Sequence, residues 1–298
     1  YKASKMIIDY AYKMALKWDT KTSDIIKATE FLKKFEYLKK DDSAVDIALE
    51  DIMDAVKLFQ ELAGLLNIDG EVGPKTLRAM TQPRCGCPDA FTSEAREYIR
   101  KWAKKELSYY IKNRDKDLPT NTWDDIIEQS FDAWASISLL KFYRVNRSSS
   151  ANFIIDVGSG SRSNFDGPGR TLAWAYLPPR NNYNGQLLMK FDTAETWVDL
   201  NSTRGIRLLN VATHEVGHLL GLEHSKIKTA LMAPYYNRNI IKPQNNDDVK
   251  RIVALYGKNT ENPNPKPDEP ENNNKTSITL HGKIDSIEIP GYRVTKFS

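Results

Sequence analysis

Apolar residues at helical spacing dominate the start of the chain. Met6, Ile7, Tyr10, Met14 and Leu16 form one stripe, and Ile25, Ile26, Phe31, Leu32, Phe35 and Leu38 form a second. Val45, Ala48, Leu49, Ile52, Ala55, Val56, Phe59, Leu62 and Leu66 form a third, close to the 3.6-residue period. The pattern predicts helix throughout residues 1–66, packed as a small bundle. Asp69-Gly70 reads as a turn and Pro74 as the first residue of a further helix, where its missing N–H costs nothing. Between Asp89 and Trp102 the chain turns polar, with Arg96, Arg100 and Lys101, as an exposed segment open to proteolysis should be. Glu106 to Ile111 then alternates as a strand. Trp123 to Leu139 carries a helical stripe through Ile126, Ile127, Phe131, Trp134 and Ile137, and Ala151 to Val157 reads as a buried strand. Helices followed by mixed elements give an α+β class. After Gly257 the run Lys258 to Asn272 is rich in Asn, Pro, Glu and Lys and buries too little to order itself, so it reads as a linker. Thr276 to Ser298 shows only weak strand alternation.

Composition narrows the picture. The 298 residues are 40% hydrophobic and 28% charged, ordinary for a globular protein with a sizeable core. A net charge of +4 from 43 basic and 39 acidic residues argues against nucleic acid or an anionic membrane as partner. No apolar run reaches the ~18 residues of a membrane span. The chain begins at Tyr1 without Met, as expected where a leader has been removed. Two cysteines spaced C-x-C make no disulfide framework. Asn146, Asn201 and Asn274 head N-x-S/T sequons, which suit a secreted protein.

Only four histidines are present, and three of them lie in His214-Glu-Val-Gly-His218-Leu-Leu-Gly-Leu-Glu-His224. On a helix, His214 and His218 stand one turn apart on one face, and two imidazoles can meet on one ion. Gly221 lets the chain leave the helix through positive φ, so that His224 can join them. Three neutral imidazoles with one open position are the ligand set of a catalytic zinc. Glu215 lies beside them as a general base, and Ala230-Leu231-Met232 supplies a methionine turn. The fourth histidine, His281, lies in the tail.

This long motif resembles the metzincin zinc endopeptidases. A second motif, Pro83-Arg84-Cys85-Gly86-Cys87-Pro88-Asp89, resembles the cysteine switch of the matrix metalloproteinase family in proenzyme form. The resemblance implies that Cys85 takes the fourth zinc position in the latent state and that Arg84 and Asp89 brace the loop. Cys87 stands where the family has valine, and in an extended loop its side chain is expected on the face opposite Cys85. Residues 28–38 and 59–80 resemble the family's propeptide and its peptidoglycan-binding-like helices. The implied organisation is an N-terminal extension (1–27), an inhibitory propeptide (28–97), a catalytic domain (98–257) of twisted mixed sheet with three helices, and a linker and tail (258–298) too short for a complete hemopexin-like propeller. No R-x-K/R-R processing site is present, so another protease or trigger is expected to activate the chain.

The resemblance implies more. Phe165 to Tyr176 is similar to the family's calcium loop and the edge strand that pairs with substrate. Asp166, Asp192, Glu195 and the carbonyls of Gly167 and Gly169 are the implied calcium ligands. Ala173 and Ala175 would bind substrate backbone, and Asn210, Pro234, Tyr236 and the loop from Asn237 to Asn246 would line the S1′ pocket, where the small Asn210 allows a deep pocket for a bulky apolar side chain and the loop's conformation decides. A structural zinc usual in the family has no ligands here, since its positions fall on Ser159, Ser161, Trp174 and Lys190. One catalytic zinc plus calcium is therefore expected. The implied setting is secreted and extracellular, with matrix proteins such as collagen as substrates and protein inhibitors and an activating protease as partners. Two other readings remain open, a metzincin of another subgroup and an N-terminal glycan-binding module.

Overall fold

A computed structural model of the chain describes residues 11–12, 14–17, 20–38, 49–89 and 99–260. The apolar positions 6, 7, 10, 45 and 48, the segment 90–98, and the whole of the tail with His281 and Asn274 lie outside the described residues. Among the described residues, no helix is long and apolar enough to cross a membrane.

The N-terminal part contains helices α1 (Thr22–Lys34), α2 (Leu49–Ala63) and α3 (Pro74–Met80). Their apolar faces share one cluster that includes Ile25, Leu32, Ile52, Val56, Phe59 and Val72. Buried Gln60 fixes the turn between α2 and α3. Its amide accepts from Gly70 N at 2.9 Å and donates to Asp69 Oδ1 at 2.7 Å and Thr76 Oγ1 at 3.0 Å. Pro74 opens α3 as expected.

The expectation of unbroken helix through residue 38 is not met. α1 stops at Lys34, Glu36 takes a left-handed φ of 63°, and the N–H groups of Tyr37 and Leu38 both return to Leu32 O at 2.9 and 3.2 Å. These bonds satisfy the terminal carbonyl and halt the helix. Past the turn, Phe35 and Tyr37 lie at the edge of the bundle, with ring centroids 4.6 Å from Phe31 and 5.7 Å from Phe59 respectively.

The second part is built on a six-stranded sheet in the order β1-β5-β6-β4-β2-β3. Its strands are β1 (Arg84–Cys85), β2 (Glu106–Ile111), β3 (Lys141–Arg144), β4 (Phe153–Gly158), β5 (Thr171–Ala175) and β6 (Leu187–Asp192). All pairings are parallel except β5 with β6. A small parallel pair, β7 (Trp197–Val198) and β8 (Ile206–Arg207), leads into helix α5 (Leu208–Leu219). With α4 (Thr120–Ala135) and α6 (Asp248–Tyr256) this is the mixed sheet with three helices, an α+β fold.

The helix expected over 123–139 starts and ends earlier. Ser136 N bonds back to Asp132 O at 2.9 Å, and the Ser138 hydroxyl donates to Trp134 O at 2.8 Å, so a side chain closes the end. The strand expected at 151–157 is shifted to Phe153–Gly158. Aromatic rings fill the space between sheet and helices, where Trp123 meets Phe191 and Trp197 edge-on at 5.7 and 6.4 Å.

Candidate metal centre

Helix α5 is buried along its whole length. His214 Nδ1 lies 2.7 Å from Leu231 O, and His218 Nδ1 lies 2.7 Å from Leu222 O. A carbonyl only accepts, so both Nδ1 atoms carry the proton and both Nε2 atoms present lone pairs, 3.1 Å apart. His224 Nδ1 lies 2.6 Å from Asp89 Oδ1, which leaves its Nε2 buried without a partner. Burial pulls His214 down to about 3, with His224 adding to the shift, and holds His218 well below the usual range. It also lowers His224, outweighing the Asp89 carboxylate. All three imidazoles are therefore in the neutral form that binds metal.

Cys85 Sγ completes the group, 3.4 Å from His218 Nε2, and all four donor atoms lie within 4.8 Å of one another. Tetrahedral zinc, with nitrogen at about 2.0–2.1 Å and sulfur at about 2.3 Å, needs nitrogens about 3.3 Å apart and sulfur about 3.5 Å from nitrogen. The donor set fits. Glu215 is fully buried beside it, and neither carboxylate oxygen has a hydrogen-bond partner of sound geometry. Burial pushes its carboxyl up to about 8, and only the Cys85 thiol opposes that shift.

The chain folds locally to hold this set. Gly221 has φ of 98°, and a Cβ there would lie 1.8 Å from Arg100 O, so conformation and space both demand glycine. Met232 packs under the helix at Gly217, where a Cβ would meet its Sδ at 2.3 Å. Sequence reasoning missed two supports. Asp248 accepts from Leu231 N at 2.7 Å and Met232 N at 3.1 Å, pinning the methionine turn. The Trp134 indole donates to Thr213 O at 2.8 Å, tying α4 to α5. No pattern in the sequence points to either.

Residues 83–89 close the site. Arg84 Nη2 donates to both Asp89 oxygens, at 2.7 and 2.8 Å, in a fully buried pair. The guanidinium lies 3.6 Å over the Phe35 ring and 5.1 Å from that of Tyr235, and Tyr37 OH donates to Asp89 Oδ2 at 2.5 Å. Burial alone would raise Asp89, but Arg84 and then His224 hold it well below the carboxylate range. The turn at Glu36 places Phe35 and Tyr37 for this purpose. Cys87 departs from expectation: its sulfur lies on the same side as Cys85, within 4.8 Å of it, and bonds to Ala175 O at 3.1 Å. Residues two apart in an extended chain share a face, which is why the two sulfurs meet, and Cys87 N lies 3.3 Å from Cys85 Sγ.

The same segment occupies the free edge of β5. Arg84 N donates to Arg170 O at 2.8 Å and Gly86 N to Ala173 O at 2.7 Å. On its other side Cys85 N donates to Pro234 O at 2.9 Å, and Tyr236 N donates to Pro83 O at 2.9 Å. Ala173, Ala175, Pro234 and Tyr236 thus surround the chain's own backbone.

A family model described as Matrixin matches residues 101–257, and one described as Putative peptidoglycan binding domain matches residues 21–80. The chain belongs to the matrixin family. It is 35% identical to matrix metalloproteinase-19 of Homo sapiens over 78% of this chain and 46% of that protein. It is 34% identical to the interstitial collagenase of Equus caballus over 80% and 50%. It is 31% identical to the macrophage metalloelastase of Oryctolagus cuniculus over 93% and 60%. The chain spans about half the length of the curated relatives it matches. Zinc and calcium are the metals of that family.

In this matrixin the other sequence-derived positions fall as follows. The amide nitrogen of Asn210 reaches Asn237 O, Arg238 O and Ile240 O at 3.0, 3.0 and 2.9 Å and fixes the loop at the pocket that Asn210, Pro234 and Tyr236 line. A cavity of about 30 Å³ remains beside Glu215 and Asn210, room for one or two waters. Burial first, then the charges of Asp166 and Asp115, raises Asp192, and burial first, then the charges of Asp192 and Asp166, raises Glu195. Asp192 Oδ2 is buried with no partner, as a hard cation would require of a ligand. Glu195 accepts from Gly169 N at 2.7 Å, and Gly167 lies in the same loop. Asp166 is engaged elsewhere, 3.1 Å from Lys34 Nζ of α1. At the positions of the family's second zinc, Trp174 is packed with Phe165, Cys85 and Cys87 and donates to Ser163 O at 2.8 Å. Its β-sheet neighbour is Lys190.

Proposed function

We propose that the chain is the latent form of a secreted matrix metalloproteinase in which Cys85 blocks the catalytic metal position. The observation that carries this is the convergence of Cys85 Sγ with the three imidazoles, 3.4 Å from His218 Nε2. His214, His218 and His224 would hold zinc, which when bound supplies a Lewis acid for the scissile carbonyl. Glu215 takes a proton from the attacking water and passes it to the leaving amine. Its raised pKa in the closed site reflects exclusion of water, and opening the cleft to solvent returns it towards a base of ordinary strength.

Substrate takes the strip now filled by residues 83–86. The carbonyls of Arg170, Ala173 and Pro234 and the N–H of Tyr236 would pair with an extended peptide, giving affinity with little sequence bias. The Asn210-tethered loop sets the size of the neighbouring pocket, favouring small or medium apolar side chains. Asp166, Asp192 and Glu195, with Gly167 and Gly169, would hold calcium and stiffen this edge. Extracellular matrix proteins, including collagen, are the substrate class that the relatives' names suggest. Protein inhibitors would compete for the same strip, and an activating protease would cut within 90–98. Residues 28–97 form the inhibitory part and 98–257 the catalytic part. The use of Phe35 and Tyr37 on Arg84 and Asp89 supports inhibition rather than glycan binding for the N-terminal unit. Asn146 and Asn201 both lie exposed, as glycosylation requires.

The test is Glu215→Gln in the processed enzyme. It should retain one zinc per chain and an unchanged circular dichroism spectrum while peptide hydrolysis falls by about 10²–10⁴. Turnover at the wild-type rate would refute the mechanism.

A further inference from the structure

Cys87 is a second free, buried thiol beside the first. Its sulfur, Cys85 Sγ, a Glu215 carboxylate oxygen and a His218 ring nitrogen form a buried group whose atoms all lie within 4.8 Å of one another. It shares Cys85 and His218 with the group that fits the zinc. Its present partners are the backbone of Ala175, with the carbonyl at 3.1 Å and the N–H at 3.4 Å. Sulfur is a weak donor and a weak acceptor, so these bonds hold it lightly. The bland alternative is a small apolar filler against Phe165 and Trp174, which an aliphatic side chain would serve as well.

We infer that Cys87 is a reserve ligand for the same metal position, replacing Cys85 when that sulfur is absent or chemically capped. Rotation about its Cα–Cβ bond moves a cysteine sulfur by ~3 Å between staggered positions, comparable to the gap to be closed. The backbone need not leave the strip, because Arg84 and Asp89, which flank the two cysteines, stay locked to each other. On binding, the thiol proton is released to solvent and the sulfur joins as thiolate, a ligand at about 2.3 Å. Inhibition then depends on withdrawal of the whole 83–89 segment and not on the fate of one sulfur.

This inference rests on the proposal that Cys85 holds the metal in the latent chain, and the experiment separates the two. The full uncut chain is loaded with cobalt(II) in place of zinc, and the sulfur-to-cobalt charge-transfer absorption in the near ultraviolet is recorded for wild type, Cys85→Ser, and Cys85→Ser with Cys87→Ser. Cys85→Ala serves as a second variant should the serine disturb folding, with circular dichroism as the check. The expected result is a band in wild type and in either single variant, lost in the double variant. Hydrolysis of a quenched peptide by the uncut, zinc-loaded single variant should stay at least tenfold below that of the double variant. A folded single variant without the band, where wild type shows it, would reduce Cys87 to packing and overturn the inference alone. Absence of the band in wild type would overturn the latency reading as well.

Discussion

His214, His218 and His224 come from one short stretch, and the bonds that orient the first two run to carbonyls nearby in the same motif or its methionine turn. The segment 83–89 buries Arg84, Cys85, Cys87 and Asp89 but leaves Pro88 exposed, and it is held by residues scattered through the chain: Phe35 and Tyr37 from the end of α1, Tyr235 beyond the methionine turn, and His224 itself. One region is specified locally and presents lone pairs to an ion. The other is specified by distant partners and surrounds a buried ion pair. The difference teaches where each will fail: the metal helix loses function when single atoms change, whereas the switch fails when its cage is opened.

The largest expected effect is on the local side. Stripping metal from the processed enzyme with a chelator should abolish peptide hydrolysis, and added zinc should restore it, because no protein group replaces the ion as Lewis acid. Metal analysis of dialysed protein should find one zinc per chain. Two tightly held zinc ions would show that Ser159, Ser161, Trp174 and Lys190 had been misread.

Next in size is the cage. Arg84→Ala removes one partner of a fully buried pair and leaves the Asp89 charge uncompensated, a loss of roughly 3–5 kcal/mol. The uncut chain should gain activity, and the thermal transition of its N-terminal part should fall. Unchanged latency would mean that the strand contacts to Arg170, Ala173 and Pro234 suffice without the pair.

How much of this was legible in the sequence follows the same division. Three histidines at helical spacing, Gly221 and Met232 could be read because their contacts are close in the chain. The apolar periods of α2 and α4 and the α+β class could be read for the same reason. The break at Glu36 could not, since a non-glycine residue at φ 63° carries no composition signal. Nor could the tether from Asn210 to Asn237, Arg238 and Ile240, or the hold of Asp248 on the methionine turn, because both depend on where a loop returns. Cys87 is expected on the wrong face only if the strand alternation is misapplied, since residues two apart in an extended chain share a face.

A smaller effect sharpens the local side. Gly217→Ala would drive a methyl group into Met232 and Trp134, an overpacking cost of about 1–3 kcal/mol. The melting temperature should drop by several degrees with zinc still bound, since the ligands are untouched. The smallest expected effect tests the outer margin of the switch. Lys34 meets Asp166 at 3.1 Å with both side chains about a third exposed. Lys34→Met should therefore cost at most about 1 kcal/mol and less in high salt. It should nevertheless tighten calcium binding by the uncut chain, because Asp166 is freed for the cation. Terbium luminescence would read this directly, and unchanged affinity would separate Lys34 from the calcium loop.

As proposed above, residues 83–89 of this matrixin fill its site and keep it latent. The most direct measurement is the rate of hydrolysis of a quenched peptide by the zinc-loaded chain before and after proteolytic removal of everything up to the segment 90–98. No turnover is expected before removal and chelator-sensitive turnover after it. Equal rates in the two states would contradict it.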